Sequence, residues 1–415
     1  MKPKGVLVLA LLLAAAAPAL ATDGYFQLGY GTPYVAMGGA GVALSLSTIG
    51  PATNPASNAF RTGWDVDVAA FMPSREFTVT GAPSGYPGTF GLLPGNVKSG
   101  NSFFVMPAIG ANWKLGGAWT LGVALYGNGG MNTAYSEPVF YAGRTGVNLA
   151  QMFVAPTVTY RIAEGHALGV TGILSFQRFQ AEGLLSFAPF SSNPSALSNR
   201  GYDEAFGVGL RIGYLGKLTP WLAVGGAYQT ETEMAKFKNY SGLFAEQGDF
   251  DIPANWTAGL ALTPCDRCTL AVDVQQIFFS RTESIGNPML PNLMMAPLGA
   301  DGGAGFGWKD VTTLKIGAAY EVSETLTLRA GYAHCTQPIP ASEVLFNILA
   351  PGVIQDHFTV GASQKVSKKA TLQLGVVYAP AYSVIGPNPL EVPGKQTIEL
   401  KMSQWLVSVG ASFGF

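Results

Sequence analysis

The chain has 415 residues with a formal net charge of −1; 12% are charged, 48% hydrophobic, and there are 53 glycines and 27 prolines. A soluble domain carries about 25% charged residues, so this surface is short of charge. The near-neutral balance gives no support for a nucleic-acid partner, which would favour a basic face. Past the first twenty-odd residues no apolar run reaches the roughly 20 residues of a spanning helix. A large buried β protein, or a barrel whose outer wall faces lipid, is left.

In chain order, Lys2 and Lys4 open a basic stretch, Val6 to Ala17 is apolar, and Ala19-Leu20-Ala21 is a small-x-small site. Residues 1–21 therefore read as a secretory signal peptide; the apolar run is too short for an anchor and stops at Pro18. Residues 22–62 follow. Within them STIGPATNPASNAF, Ser47 to Phe60, cannot be a strand: its two prolines remove ladder donors and constrain the residue before each ring. Phe26, Tyr30, Tyr34, Met37 and Phe60 are more apolar than a disordered tail would be. The segment reads as a plug, with the polar wall of a wide barrel satisfying its irregular backbone.

From Trp64 onward the sequence alternates with a period of two. Phe206, Val208, Leu210 and Ile212 oppose Gly207, Gly209 and Arg211; Leu314, Ile316 and Tyr320 oppose Thr313, Lys315 and Gly317; Leu372, Leu374 and Tyr378 oppose Thr371, Gln373 and Gly375. One face is apolar and the other small or polar, the pattern of a strand with lipid outside and a polar lumen inside. Short turns near residues 116–118, 164–166, 218–220, 264–268, 323–325 and 367–369 alternate with long loops near 81–101, 136–148, 182–203, 239–250, 284–308, 337–354 and 384–394. The fold class is all-β: a transmembrane antiparallel β-barrel of about fourteen strands, residues 63–415, plugged by an N-terminal hatch, residues 22–62. The last run, WLVSVGASFGF, ends on Phe415 and seals the barrel against the first strand.

Cys265 and Cys268, in PCDRC, read as a hairpin-turn disulfide or as two inert thiols, and Cys335 is left unpaired. His166, His334 and His357 stand at no metal-ligand spacing from them and follow no serine motif, and GxSxG is absent. No enzyme, metal or cofactor is expected.

YGTPYVAMGGAGVA followed by ATNPASNAF resembles the hatch of the FadL/TodX (OmpP1-like) family, outer-membrane transporters of long-chain fatty acids and aromatic hydrocarbons. Asn54-Pro55-Ala56 matches that family's NPA motif. GFGWKD, TLKIGAAYEVSETLTLRAGYAHCTQPIP and DHFTVGASQKVSKKATLQLGVVYAP are similar to its closing half, and Phe415 resembles the aromatic end read by barrel-assembly machinery. The resemblance implies a barrel in the outer membrane of a Gram-negative bacterium, in contact with its lipid, for passive uptake of hydrophobic small molecules. Cargo is captured by apolar extracellular loops, here Phe187, Phe190 and Leu197 with Leu243 and Phe244; Met289, Leu290, Leu293, Met294 and Met295 form another apolar loop. It leaves sideways beside a kinked third strand, where Gly127-Asn128-Gly129-Gly130 interrupts WTLGVALYGNGGMNTAYS; glycines inside a strand mark a bulge or bend.

Lys309, in GWKD, resembles a lysine that the family places near its pocket, and is the first choice to meet a cargo carboxylate. Arg211, Lys315 and Arg329 are inward-facing alternatives, each expected to pair with a lumen acid such as Asp273 or Glu321. Arg178 is not in register with the family's pocket arginine, so a neutral aromatic or alkane stays open as cargo. A general diffusion porin and a structural or adhesive barrel are the alternative functions.

Overall fold

The structure is a computed structural model that describes residues 23–414; the stretch read above as a signal peptide and Phe415 lie outside the described residues. Seven wall strands make the first half: β1 Gly63–Thr80, β2 Phe104–Gly116, β3 Trp119–Tyr135, β4 Thr145–Ala163, β5 His166–Glu182, β6 Asp203–Thr219 and β7 Leu222–Gln229. Seven more complete it: β8 Asn255–Cys265, β9 Cys268–Ile277, β10 Val311–Glu321, β11 Leu326–Cys335, β12 Asp356–Lys365, β13 Ala370–Pro387 and β14 Thr397–Phe413. Each pairs antiparallel with its neighbour, and β1 pairs with β14 from Trp64 opposite Phe413 to Thr80 opposite Thr397. Closing β1 on β14 leaves no free first or last strand in the hydrocarbon, where each unpaired backbone group costs several kcal/mol. Two short strands, Gly95–Lys98 beside β1 and Glu233–Met234 beside β6, belong to long loops.

The alternation read from the sequence sets the two faces. Phe206, Val208, Leu210, Ile212, Leu314 and Ile316 are exposed on the outer wall, whereas Arg211, Thr313 and Lys315 are buried on the bore side. Trp64, Trp113, Trp119 and Trp221 stand exposed at the short-turn end. There Trp64 stacks on Phe413 with ring centroids 4.1 Å apart, and Trp119 lies 4.6 Å from Tyr160. Amphipathic rings at one level form the girdle of a membrane interface. A Cys265–Cys268 disulfide closes the β8–β9 turn, with Cα atoms 5.1 Å apart, and Cys335 is buried with a free thiol.

The loop between β7 and β8 is longer than its composition indicates. β7 stops at Gln229 because the chain then bridges Thr232 to Ile252 and lends Glu233–Met234 to β6. Alternation continues through those residues, but their partners change.

Residues 23–62 contain one short helix, α1 Thr32–Val35, and two 3-10 turns, Gly50–Ala52 and Pro55–Phe60. They are held against bore-facing side chains of widely separated strands. Asp67 of β1 accepts the Thr32 N–H at 2.5 Å, and Asp273 of β9 accepts those of Gly41 and Val42 at 2.7 and 2.8 Å. Thr359 of β12 accepts the Gly38 N–H at 2.9 Å and donates to the Ala36 carbonyl at 3.0 Å. Lys315 of β10 donates to the Leu28 carbonyl at 2.7 Å. Wall side chains thus supply the partners that this irregular backbone cannot supply for itself. Asp273→Ala strips an acceptor from two buried N–H groups, at about 1–3 kcal/mol for each. Amides of residues 38–45 are expected to exchange faster with solvent, while the heat-dependent gel shift of the folded barrel stays unchanged; hydrogen exchange with mass spectrometry checks this.

Candidate functional site

Asn54 joins the inner segment to the wall. Its Nδ2 donates to the carbonyls of Val42 and Tyr214, at 2.7 and 2.8 Å, and its Oδ1 accepts the Ala56 N–H at 3.0 Å as an N-cap. Its backbone is extended, with φ −144° and ψ 112°, as a residue before proline requires. The Pro55 carbonyl accepts from Thr159 Oγ1 at 2.8 Å, and fully buried Ala56 packs with Ala59, Ala167 and Leu215.

The wall changes character at β3. Exposed and buried residues alternate only as far as Val123; Ala124, Leu125, Tyr126 and Asn128 to Thr133 are all buried. The ladder to β2 ends with Ala108 opposite Tyr126, whereas the ladder to β4 runs on to Tyr135 opposite Thr145. A bulge between Gly127 and Gly129 interrupts the latter, with Asn128 as the extra residue. Beyond Tyr126 β3 therefore has no ladder to β2, a gap that ends where Gly100 N–H donates to the Ala134 carbonyl at 2.8 Å and Asn101 Nδ2 to Asn132 Oδ1 at 3.0 Å. Its free side is taken by the inner segment: Gln27 N–H donates to the Asn128 carbonyl at 3.2 Å, and Gly130 N–H to the Tyr25 carbonyl at 3.1 Å. Gln27 Nε2 adds a bond to the Gly127 carbonyl at 2.7 Å, and the Tyr30 hydroxyl one to Asn128 Oδ1 at 3.0 Å. A side chain on Gly129 would overlap the Tyr25 carbonyl, so the close approach requires glycine.

Two cavities lie above the segment. The outer one is an apolar groove between the long loops, walled by Phe140, Phe179, Phe187, Leu197, Leu243 and Phe244, with Ser284 its polar exception. Phe190 does not line it and is partly exposed. Met289 and Leu293 are buried beneath neighbouring loops, whereas Met294 and Met295 are 63% and 80% exposed. The inner cavity is small and is lined by Gly24, Tyr25, Arg75, Met131, Trp308 and Met402, among others. Phe306 and Leu349 face the groove while Trp308 and Ala350 face the inner cavity, so two short stretches of chain form the wall between them.

Lys309 is exposed ahead of β10 and lines neither cavity, because the inward place in GWKD falls to fully buried Trp308. The pairing expected for the other cations is corrected. Lys315 forms its ion pair with Asp23 at 3.1 Å although Asp273 stands opposite it in the ladder, since the Asp273 carboxylate is occupied by segment N–H groups. Arg211 donates to the Pro51 carbonyl and the Tyr126 hydroxyl, both at 3.0 Å, and Arg329 donates to Ser363 Oγ at 2.5 Å. Glu321 is exposed, and Arg178 lies over the Tyr202 ring at 4.7 Å. Sequence reasoning missed Arg75 and Trp308; a lumen-parity arginine on the first strand was the available signal for Arg75.

The loop before β8 carries a pH-sensitive pair. Burial, reinforced by Asp249, Glu231 and Glu233, pushes Asp251 up to about 7, although its carboxylate accepts the Met234 N–H at 2.6 Å. Burial and Glu246 push Asp249 to about 6 against the pull of Lys236. Raised values mean that the closed loop holds protons which an open loop releases. The contribution to closure is complete below the ordinary value of 3.8 and is lost as pH rises through about 6 to 7. Amides of residues 244–252, corrected for intrinsic rate, are expected to be better protected at pH 5 than at pH 8, and Asp251→Asn should shrink the difference.

The fold has close counterparts among solved structures. The P. putida toluene transporter TodX superposes with a TM-score of 0.69 at 19% identity, over 94% of this chain and 99% of that one. A Pseudomonas aeruginosa FadL homologue gives 0.68 at 15% identity, over 94% and 100%. The Ralstonia pickettii toluene transporter TbuX gives 0.60 at 17% identity, over 93% and 99%. No curated protein matches the sequence. Residues 9–415 match the family described as outer membrane protein transport protein (OMPP1/FadL/TodX), and with this match over nearly its whole length the chain belongs to that outer-membrane transport family.

Proposed function

We propose that the chain is a passive channel for hydrophobic molecules, with residues 22–62 as its hatch and residues 63–415 as its conduit. Cargo enters the apolar groove, passes the Phe306–Trp308 and Leu349–Ala350 wall into the inner cavity, and leaves sideways at the β3 gap. What supports this reading is the apolar lining of the groove, its separation from the inner cavity by residues 306–308 and 349–350 alone, and the end of the β2 ladder at Tyr126 beside Met131, which lines that cavity. Burying hydrocarbon is worth about 0.8 kcal/mol per CH₂, so a dry groove with a lateral exit into lipid suits such cargo better than a water-filled pore. Two structural neighbours are named as toluene transporters, which makes toluene the first probe and fatty acids the second.

Two substitutions test the ends of the route. Leu243→Glu places a carboxylate in the groove and is expected to cut toluene uptake by cells about tenfold, the effect of roughly 1.4 kcal/mol, with normal surface abundance. Gly129→Val drives residues 25–27 off β3 and obstructs the gap; uptake is expected to fall by a similar factor of about ten while capture in the groove persists. Normal uptake by both variants would remove the route. A general porin is the competing function, and a steady porin-size conductance in planar bilayers would support it instead.

A further inference from the structure

Short turns mark the periplasmic end of an outer-membrane barrel. At that end the exit of the inner segment, Ala59 to Thr62, and the ends of β2, β4 and β6 line a cleft that shares no residue with the groove or the inner cavity. Its charged members are Arg61, Lys114, Arg161, Lys217 and Glu164. Lys114 keeps the parity of buried Asn112, Arg161 that of Thr159 and Lys217 that of Leu215, so these three cations belong to the bore face and not to the lipid face. The Lys217 N–H donates to the Gly165 carbonyl at 2.9 Å, which ties the end of β6 to the turn that carries Glu164.

The charges in this cleft do not balance. Arg61 has a partner in Asp65 at 3.6 Å, but none of the ion pairs among the described residues includes Lys114, Arg161, Lys217 or Glu164. Three cations thus face one carboxylate, an excess of two positive charges in a chain whose 24 lysines and arginines and 25 acids nearly cancel. A concave wall of one sign focuses its field on an anion.

The cations also differ in how firmly they are held. Arg161 Nη2 donates to the Ala59 carbonyl at 2.7 Å, and its guanidinium lies over the Phe60 ring at 5.7 Å, so the segment fixes its direction and leaves donors over. Lys114 and Lys217 are exposed, on flexible stems. One fixed planar fork with two movable point charges suits an oxyanion of more than one charge. A phosphate monoester carries about −1.5 to −2 at neutral pH on three acceptor oxygens, whereas a carboxylate or a phosphodiester carries a single charge. Placement on the bore face likewise favours a solute of the periplasmic water over the head groups of lipids around the outer wall.

We propose that this cleft binds a dianionic phosphate, as inorganic phosphate or a phosphate monoester, with Arg161, Lys114 and Lys217 as its ligands and Glu164 opposing it. The site does not rest on the transport reading. Because Arg161 also holds Ala59, a bound phosphate ties the exit of the segment to β2, β4 and β6.

The test is equilibrium dialysis of the full chain in dodecyl maltoside micelles at pH 8 and low ionic strength, with empty micelles subtracted. The probes are inorganic phosphate, dimethyl phosphate and dihexanoyl phosphatidylglycerol, the last two carrying the diester of a lipid head group. Inorganic phosphate is expected to bind about tenfold tighter than either diester, the effect of the second charge. Lys114→Gln combined with Lys217→Gln should weaken phosphate about tenfold, and Glu164→Gln should strengthen it about threefold. Phosphate should also slow hydrogen exchange at the amides of residues 60–62 in the wild type. Absence of saturable phosphate binding overturns the proposal, as does phosphate affinity that neither variant changes. A diester that binds as tightly as phosphate overturns the dianion, and phosphatidylglycerol binding tightest of the three would assign the cleft to lipid instead. If the double lysine variant does not fold, judged by the heat-dependent gel shift, Glu164→Gln and the wild-type comparison decide.

Discussion

The outer half of β3 gives up its ladder to β2 and recovers part of it from Tyr25 to Gln27. A backbone group out of reach of water must be paired, and this requirement governs both the wall and what lies inside it. It forces β1 onto β14 to close the barrel. It also explains why an irregular chain rich in glycine and proline can be accommodated in the bore: carboxylates, hydroxyls and amides of the wall face inward and take its N–H and carbonyl groups. Where β3 departs from β2, the same segment stands in for the missing strand. A gap in a membrane barrel is then stable without exposing backbone to lipid.

This arrangement couples the segment to the proposed route. Gly24 and Tyr25 line the inner cavity, and the Tyr25 carbonyl is bonded to β3 one residue beyond the bulge. Anything filling the inner cavity touches the residues that hold the gap. Polar and apolar contents are segregated to match. Asp23, Asp67, Asp273, Lys315 and Arg211 are engaged in fixing the segment, while the groove above it is lined by phenylalanine and leucine. On the proposed route an apolar molecule would be shielded from water by the phenylalanine and leucine lining of the groove.

The barrel was legible because a lipid-facing wall imposes a strict period of two and because short turns and long loops sit at opposite ends. Gly127 to Gly130 pointed to an irregular strand for a local reason, as glycine weakens a ladder wherever it stands. Partners were not legible. Lys315 and Asp273 face each other across β9 and β10, yet each is committed to a residue more than two hundred positions away. Lys309 reads as inward from its motif, but the coil before β10 turns Trp308 inward instead. Arg75 shows the lumen parity of its strand, but its partners were not legible, since they are carbonyls of Asn101 and Asn132 and any residue type presents a carbonyl.

The glycines of the strands carry the remaining information. On an ordinary strand they are a cost, yet several sit on the bore face where a Cβ would strike the segment: Gly213 against Asn54, Gly225 against Val42, Gly169 against Pro55 and Gly331 against Met37 and Gly38. Each lies where segment backbone or a short side chain comes within contact of a wall strand, on β5, β6, β7 and β11. Small residues on the inner face therefore trace the segment's path around the bore, as the aromatic rings on the outer face trace the membrane boundary. The small-or-polar face that marks a lumen in the sequence is here two patterns superimposed. Its polar members satisfy the segment's backbone, and its glycines make room for it.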